Sequence, residues 1–256
     1  MSRSSMWSLA ALLVPALLHA QGVPFGFMPH TGPARRTTFT VRIENVSTAT
    51  TLRLSNGQTA PAPNAPGLWV VHDEPDPLFT AGAKDRDQGL ERLAEDGNPA
   101  VLAAALQSHQ GIMASGTFAI PVGDAMPGPA TPGKAYEFTF TAEPGQKLTF
   151  ATMFGQSNDL FLAPGDRGIQ LFDSKGDVMS GDITSLMDLW DAGTEVNQEP
   201  GLGPDQAPRQ KAPNTGASER KPVQLVKDVK DGFTYPKVSD VLRVTITPAS
   251  VMSAMD

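Results

Sequence analysis

Residues 135–154 read Ala-Tyr-Glu-Phe-Thr-Phe-Thr-Ala-Glu-Pro-Gly-Gln-Lys-Leu-Thr-Phe-Ala-Thr-Met-Phe. The first and last eight residues of this stretch are rich in aromatic and β-branched side chains interleaved with polar or small ones, which is typical of strands. Between them, residues 143–146 place proline at the second position and glycine at the third, the pattern of a tight reverse turn. The stretch therefore predicts two strands joined as a β-hairpin.

Further strand-like segments lie on both sides of this predicted hairpin. They cover residues 37–46, 51–54, 68–72, 116–121, 169–172 and 241–247. Residues 87–108 differ, because they read as two short helices, the second with Asn98 as its N-cap and Pro99 as its first residue. We see no internal repeat and no second domain, so the sequence predicts one mostly-β domain with a small helical insertion.

The composition excludes several classes of function. The 256 residues include 20 lysines and arginines against 27 aspartates and glutamates, a net charge of −7. There is no basic stripe with interleaved aromatic residues, so the chain lacks the electrostatic signature of a nucleic-acid-binding protein. It has no cysteine, which excludes a thiol nucleophile, a thiolate metal site and disulfides. A chain of this length can bury a stable core without disulfides.

The amino-terminal residues have the pattern of a secretory signal peptide. Residues 1–20 begin with a positive charge at Arg3, continue with the apolar run 9–18 and end on a small-residue cleavage site at Ala20. The run is shorter than the about 20 residues of a membrane-spanning helix, and Pro15 interrupts it. We expect a secreted or periplasmic protein without a transmembrane segment. The remaining predicted boundaries are an irregular lead-in over residues 21–36, the folded domain over 37–248 and a tail over 249–256.

Two short segments place acidic residues in turns. Residues 190–195 read Trp-Asp-Ala-Gly-Thr-Glu, so Asp191 and Glu195 flank a glycine that permits a tight turn. Upstream, Asp159 follows Gln-Ser-Asn at another predicted strand-to-loop transition. Three carboxylates from two loops suit Ca²⁺, which takes about six to eight oxygen ligands. Because the spacing matches no EF-hand loop, it leaves open a calcium site and a set of hydrated turn residues.

The same segments carry a resemblance to a known family. Residues 190–195 resemble the W-D-A-G-T-D signature of the spondin amino-terminal domain, which occurs in secreted matrix proteins such as F-spondin and mindin, and residues 157–160 are similar to that family's S-P-D-W. The resemblance covers roughly residues 36–248. It implies an antiparallel β-sandwich with one Ca²⁺ ion near its end. We expect the helical insertion to cover one end of this sandwich.

The resemblance also implies a set of ligands. Carried over residue by residue, the calcium ligands fall on Asp159, Asp191 and Glu195. The chain departs from the family at Glu195, where the family usually has aspartate, and at Leu160, which replaces an aromatic residue. Trp190 has two interpretations, a core aromatic residue and a wall of the ion site, and we favour the core.

The sequence contains no recognisable catalytic motif. It lacks an H-E-x-x-H pair, a G-x-S-x-G elbow and a glycine-rich phosphate loop, so we expect that the protein is not an enzyme. The acids beside His72 are expected to lie in a solvated loop. Residues 85–89 begin like a calcium loop but lack its later spacing, and we expect them to begin a helix.

The leading hypothesis is an exported calcium-binding β-sandwich module for adhesion or recognition, whose partner is an unknown protein or glycan. Two alternatives stay open. One is an envelope polysaccharide hydrolase that uses Asp191 and Glu195 as paired carboxylates, and the other is a metal-free structural sandwich. Residues 196–222, rich in proline and glycine, predict a long surface loop that starts beside the proposed site.

Overall fold

The computed structural model describes residues 24–29 and 36–249. The predicted signal peptide, most of the predicted lead-in and all but the first residue of the predicted tail lie outside the described residues. The strands, in chain order, are β1 (Gly26–Met28), β2 (Thr37–Asn45), β3 (Leu52–Arg53), β4 (Thr59–Ala60), β5 (Asn64–His72), β6 (Ile112–Phe118), β7 (Ala135–Ala142), β8 (Lys147–Phe154), β9 (Leu160–Pro164), β10 (Ile169–Gln170), β11 (Val178–Asp182), β12 (Met187–Asp191), β13 (Gln224–Leu225) and β14 (Leu242–Pro248). The helices are α1 (Leu90–Asp96), α2 (Ala100–Leu106) and the 3₁₀ turns Thr184–Leu186, Val226–Asp228 and Val238–Asp240.

Two antiparallel sheets pack face to face, which confirms the predicted mostly-β sandwich. One sheet has the order β1-β11-β14-β2-β7. The other has the order β13-β12-β9-β8-β5-β6, with β10 also paired to β8. Aromatic side chains join the layers: Trp69 of β5 stacks on Phe138 of β7 with ring centroids 5.6 Å apart. The short strand β1, which pairs with β11, falls within the lead-in that we expected to be irregular.

Strands β7 and β8 have the predicted bounds, but they do not form the predicted hairpin. β7 pairs with β2, whereas β8 pairs with β5 and β9 in the other sheet. The turn itself is present, since the backbone N–H of Gln146 donates to the carbonyl of Glu143 at 3.0 Å. The turn reverses the chain and carries it from one sheet to the other. A turn sequence specifies that reversal but does not specify which strands pair across it.

The two helices cover the outer face of the larger sheet, where we expected them to cover one end of the sandwich. A second core, distinct from the one between the sheets, lies between α1, α2 and this face; it includes Leu93, Leu102, Leu68 and Ala151. β8 is consequently buried on both faces, whereas β7 alternates. Within the described residues, neither helix has the length and apolarity needed to cross a bilayer.

Strand β5 begins earlier than the predicted segment 68–72, because it also includes Pro66 and Gly67. The register shifts between Asn64 and Gly67, as in a β-bulge, which accommodates Pro66 within a sheet. A Cβ atom at Gly67 would overlap the carbonyl oxygen of Ala151 and the ring of Phe118. Glycine therefore permits the close packing of β5 on β8.

Candidate cation site

Asp159 and Asp191 lie side by side at the ends of two neighbouring strands. Asp191 is the last residue of β12, and it pairs with Leu160, the first residue of β9. Asp159 immediately precedes Leu160, and its carbonyl accepts a hydrogen bond from Ala192 N–H at 3.1 Å. Both aspartates are fully buried, with 0% exposure. Antiparallel pairing therefore brings together two acids that are 32 positions apart in the sequence.

The turn after β12 directs backbone N–H groups at both carboxylates. Asp191 Oδ1 accepts from Gly193 N–H at 2.6 Å, and Asp159 Oδ2 accepts from Thr194 N–H and Glu195 N–H at 3.2 Å each. Gly193 has φ of +68°, which favours glycine, and a Cβ there would overlap the backbone of Lys221. The glycine noted in the sequence thus shapes the turn around the aspartates.

The aspartate pair has no basic partner. Among the ion pairs of the described residues, none includes Asp159 or Asp191, and Lys221 is paired instead with Glu219 at 2.7 Å. Asp159 Oδ1 is buried and accepts no hydrogen bond. Burial, and then the charge of Asp191, raise the pKa of Asp159 well above its usual range.

Asp191 is better satisfied than Asp159. Burial raises its pKa as well, but hydrogen bonds from Gly193 N–H, from the Asn197 side chain at 3.0 Å and from the Asp159 carboxyl oppose the rise. A proton held by Asp159 would therefore bond to Asp191. Either such a shared proton or a bound cation can balance two carboxyl groups buried together.

Glu195 lies outside this tight pair. The three predicted ligands do not form a group whose oxygen atoms all lie within 4.8 Å of one another. Glu195 Oε2 instead accepts from the Asn158 side chain at 3.1 Å, and its carboxylate packs against Gly216. The side chain is 3% exposed. Burial raises its pKa most, and the charges of Asp205, Asp96 and Glu91 add to the rise.

Glu95 on α1 is a buried acid that the sequence analysis did not single out. It is 2% exposed, and neither of its carboxylate oxygens has a hydrogen-bond partner. Burial raises its pKa to about 8; the Thr194 hydroxyl opposes this rise, and the charges of Glu195 and Glu91 add to it. The sequence offered one signal, since Glu91 and Glu95 are four residues apart on a helix and like charges at that spacing repel.

Residues 85–91 contain a second acidic group, where we expected only the start of a helix. One carboxylate oxygen from each of Asp85, Asp87 and Glu91 lies within 4.8 Å of the other two. They line a cavity of about 110 Å³ whose other walls include Lys84, Arg220 and Lys221. Asp87 is exposed, so solvent and these basic side chains can balance the cluster without an ion.

Two further predicted residues are part of the core. Trp190 packs against Phe79 at 4.9 Å between ring centroids and donates from Nε1 to the carbonyl of Ala163 at 3.2 Å. His72, the last residue of the predicted strand 68–72, is the last residue of β5 and is fully buried. Its Nε2 is 2.9 Å from the Thr149 hydroxyl, and burial lowers its pKa.

Comparison with known protein families found no family model that matches this chain, and comparison with curated proteins found no match. The resemblance to the spondin amino-terminal domain therefore stays a prediction.

Proposed function

We propose that the chain is an exported calcium-binding β-sandwich module for adhesion or recognition, with the ion held by Asp159 and Asp191. The observation that carries this proposal is the buried aspartate pair, in which Asp159 Oδ1 has no hydrogen-bond partner. Burying an unbalanced carboxylate costs several kcal/mol, on the order of the energy that a bound cation can return. Backbone carbonyls and water would complete the coordination.

The types of ligand atom at the aspartate pair favour calcium over a transition metal. Asn197 and the backbone of Thr194 contact the pair through N–H groups, so the carboxylate oxygens themselves are the candidate ligands. Neither histidine nor cysteine belongs to the group. Hard oxygen ligands suit Ca²⁺ and Mg²⁺, and Ca²⁺ tolerates the irregular geometry of a set drawn from two strand ends.

The burial of the acids also bears on the two alternatives. A hydrolase needs its two carboxylates on either side of a bound polymer, whereas Asp191 and Glu195 are 0% and 3% exposed. This burial favours an ion over a polysaccharide as the ligand. A metal-free sandwich would instead have to keep a shared proton on the Asp159–Asp191 pair at neutral pH, in the place that a cation would take.

The ion would connect the strand ends to the long loop that follows. The backbone of residues 193–196 pairs with that of residues 217–221, through Val196 N–H to the Ala217 carbonyl at 2.8 Å and Glu219 N–H to the Thr194 carbonyl at 2.7 Å. An ion bound at Asp159 and Asp191 would fix this paired segment. We propose that the surface of the loop then contacts an external protein or glycan.

Calorimetric titration of Ca²⁺ into the chelator-treated full-length chain tests the proposal. We expect saturable binding and a melting temperature that rises with Ca²⁺, because a ligand that binds only the folded state stabilises it. Asp159→Asn should abolish both effects, whereas Asp124→Asn, which changes an exposed acid, should leave them intact. Absence of heat and of a melting shift in the unmodified chain would contradict a calcium site.

A further inference from the structure

We propose that Glu95 and Glu195 form a second divalent-cation site, next to the Asp159–Asp191 pair and separate from it. Glu95 is on α1 and Glu195 follows β12, so this site would join the helical insertion to the sheet that it covers. The inference goes beyond the single calcium ion of the proposed function. It rests on a cluster of buried oxygen atoms that lack partners.

Three of these atoms belong to Glu95 and Thr194. Both carboxylate oxygens of Glu95 and the hydroxyl oxygen of Thr194 are buried and form no hydrogen bond of standard geometry, although the Thr194 hydroxyl is close enough to Glu95 to oppose the rise of its pKa. Glu95 is 2% exposed, so bulk water does not replace the missing partners. Buried polar atoms are nearly always bonded in folded proteins, and an unsatisfied carboxylate is the most costly kind. A cation bound by these oxygen atoms would supply the partner that they lack.

Several acidic side chains act on Glu95. The charges of Glu195, Glu91 and Asp96 each add to the rise of its pKa. The basic residue on the same helix, Arg92, is paired with Asp96 at 2.6 Å. Among the ion pairs of the described residues, none includes Glu95 or Glu195. A divalent cation would neutralise two carboxylates that no side chain neutralises.

A segment of the long loop closes the site from outside. The backbone N–H of Asn214 donates to Asp96 at 3.2 Å, which ties the loop to α1. Two residues later, the Glu195 carboxylate packs directly against Gly216, where any Cβ atom would overlap it. Between them, the hydroxyl oxygen of Thr215 is buried without a partner. The loop is thus tied to α1 at Asp96 and packs over the Glu195 carboxylate.

The two proposed sites are adjacent but distinct. Thr194 lies between them, since its backbone N–H donates to Asp159 at 3.2 Å while its hydroxyl is close to Glu95. Glu195 also lies between the two sites. Its backbone N–H donates to Asp159, whereas its carboxylate accepts a hydrogen bond from the Asn158 side chain. Carboxylates and hydroxyls are hard ligands, so the ion would be Ca²⁺ or a cation of similar chemistry.

The number of bound ions tests this inference. The full-length chain is stripped with a chelator, titrated with Ca²⁺ by calorimetry and weighed by native mass spectrometry. We expect two ions per chain in the unmodified protein, one in Glu95→Gln and one in Glu195→Gln. Glu143→Gln, which changes an exposed glutamate in the turn between β7 and β8, should still bind two. Circular dichroism and urea unfolding verify that each variant is folded.

The possible failures can be told apart. A single ion in the unmodified chain overturns the second site, and if that ion is lost in Asp159→Asn but kept in Glu95→Gln, the proposed function stands without it. Two ions retained in both glutamate variants also overturn it, because the second ion then lies elsewhere. No bound ion in the unmodified chain overturns this inference and the proposed function together.

Discussion

Replacing Glu95 with glutamine is expected to change how the stability of the ion-free protein depends on pH. Burial raises the pKa of Glu95 from 4.5 to about 8 in the folded state, and the unfolded chain has the ordinary value. An acid whose pKa is raised by folding contributes stability that is complete below the unfolded pKa. That contribution is lost as pH rises toward the folded pKa.

The size of the effect follows from the two pKa values. Each unit of pKa difference corresponds to 1.36 kcal/mol, so a rise from pH 4.5 to pH 7 should remove about 3 kcal/mol of the free energy of unfolding through this group alone. Glutamine does not ionise and loses none of it. The difference between Glu95→Gln and the unmodified chain should therefore shift by about 3 kcal/mol in favour of the variant.

Urea unfolding in the presence of chelator measures this difference at each pH. The linear dependence on denaturant gives the free energy of unfolding at pH 4.5 and pH 7. Asp159, Asp191 and Glu195 are present in both proteins, so their own titration largely cancels, and Glu143→Gln controls for loss of one negative charge. Parallel pH curves for Glu95→Gln and the unmodified chain would refute the reasoning. Saturating Ca²⁺ should stabilise proteins that keep Glu95 more at pH 7 than it stabilises Glu95→Gln, because Glu95→Gln keeps only the ion at Asp159 and Asp191 and a bound cation favours the ionised carboxylate.

Three further substitutions, with Gly165→Ala as a control, test the packing around the sheets and the loop. Gly67→Ala should lower the free energy of unfolding by more than about 2 kcal/mol through backbone overlap, whereas Gly165→Ala, where a Cβ meets open space, should change it by less than about 0.5 kcal/mol. Tyr136→Phe should cost about 1–2 kcal/mol, since the buried hydroxyl donates to the Gly128 carbonyl at 2.6 Å. Urea unfolding measures the free energy of unfolding of these three variants. An equal loss for Gly67→Ala and Gly165→Ala would contradict the packing argument. Gly216→Ala should weaken the second ion about tenfold, roughly 1.4 kcal/mol, in a calorimetric titration, and unchanged affinity would show that the loop does not close that site.

Sequence patterns predicted the strands best where the signal is local. The bounds of β7 and β8 follow from side-chain alternation and a turn sequence, and those of α2 from helix propensity and a proline start. The start of α2 is one residue later than predicted, with Pro99 at the N-cap position and Ala100 as the first residue, although the Asn98 side chain still accepts from Ala100 N–H at 3.0 Å. The prediction that β7 and β8 pair as a hairpin was wrong, because strand pairing depends on which faces become buried. β8 takes a central position in the sheet that the helices cover. The sequence of residues 143–154 does not indicate that helices pack on this sheet.

The candidate site divides in the same way. Asp191 and its glycine turn are local features, so the sequence analysis found them, and the spacing of Asp159 before an apolar run suggested a second strand end. Glu95 was missed because only the docking of α1 on the sheet brings it beside Thr194 and Glu195. The orientation of Glu195 depends in turn on Asn158 and on Gly216, which are 37 residues before it and 21 after it. No spacing rule connects residues so far apart.

The buried acids connect the proposed ions to the place where the protein would work. In the absence of cations, Asp159 and Glu95 are most easily buried as protonated groups, and both pKa values are raised accordingly. At neutral pH, the buried carboxyl groups of Asp159 and Glu95 therefore each lower the stability of the ion-free fold. A cation at a concentration of 100 times its dissociation constant would return about 2.7 kcal/mol for each site. On the proposed function, the chain would be least stable where calcium is scarce and would gain its full stability after export, when the ions fix the loop that meets the partner.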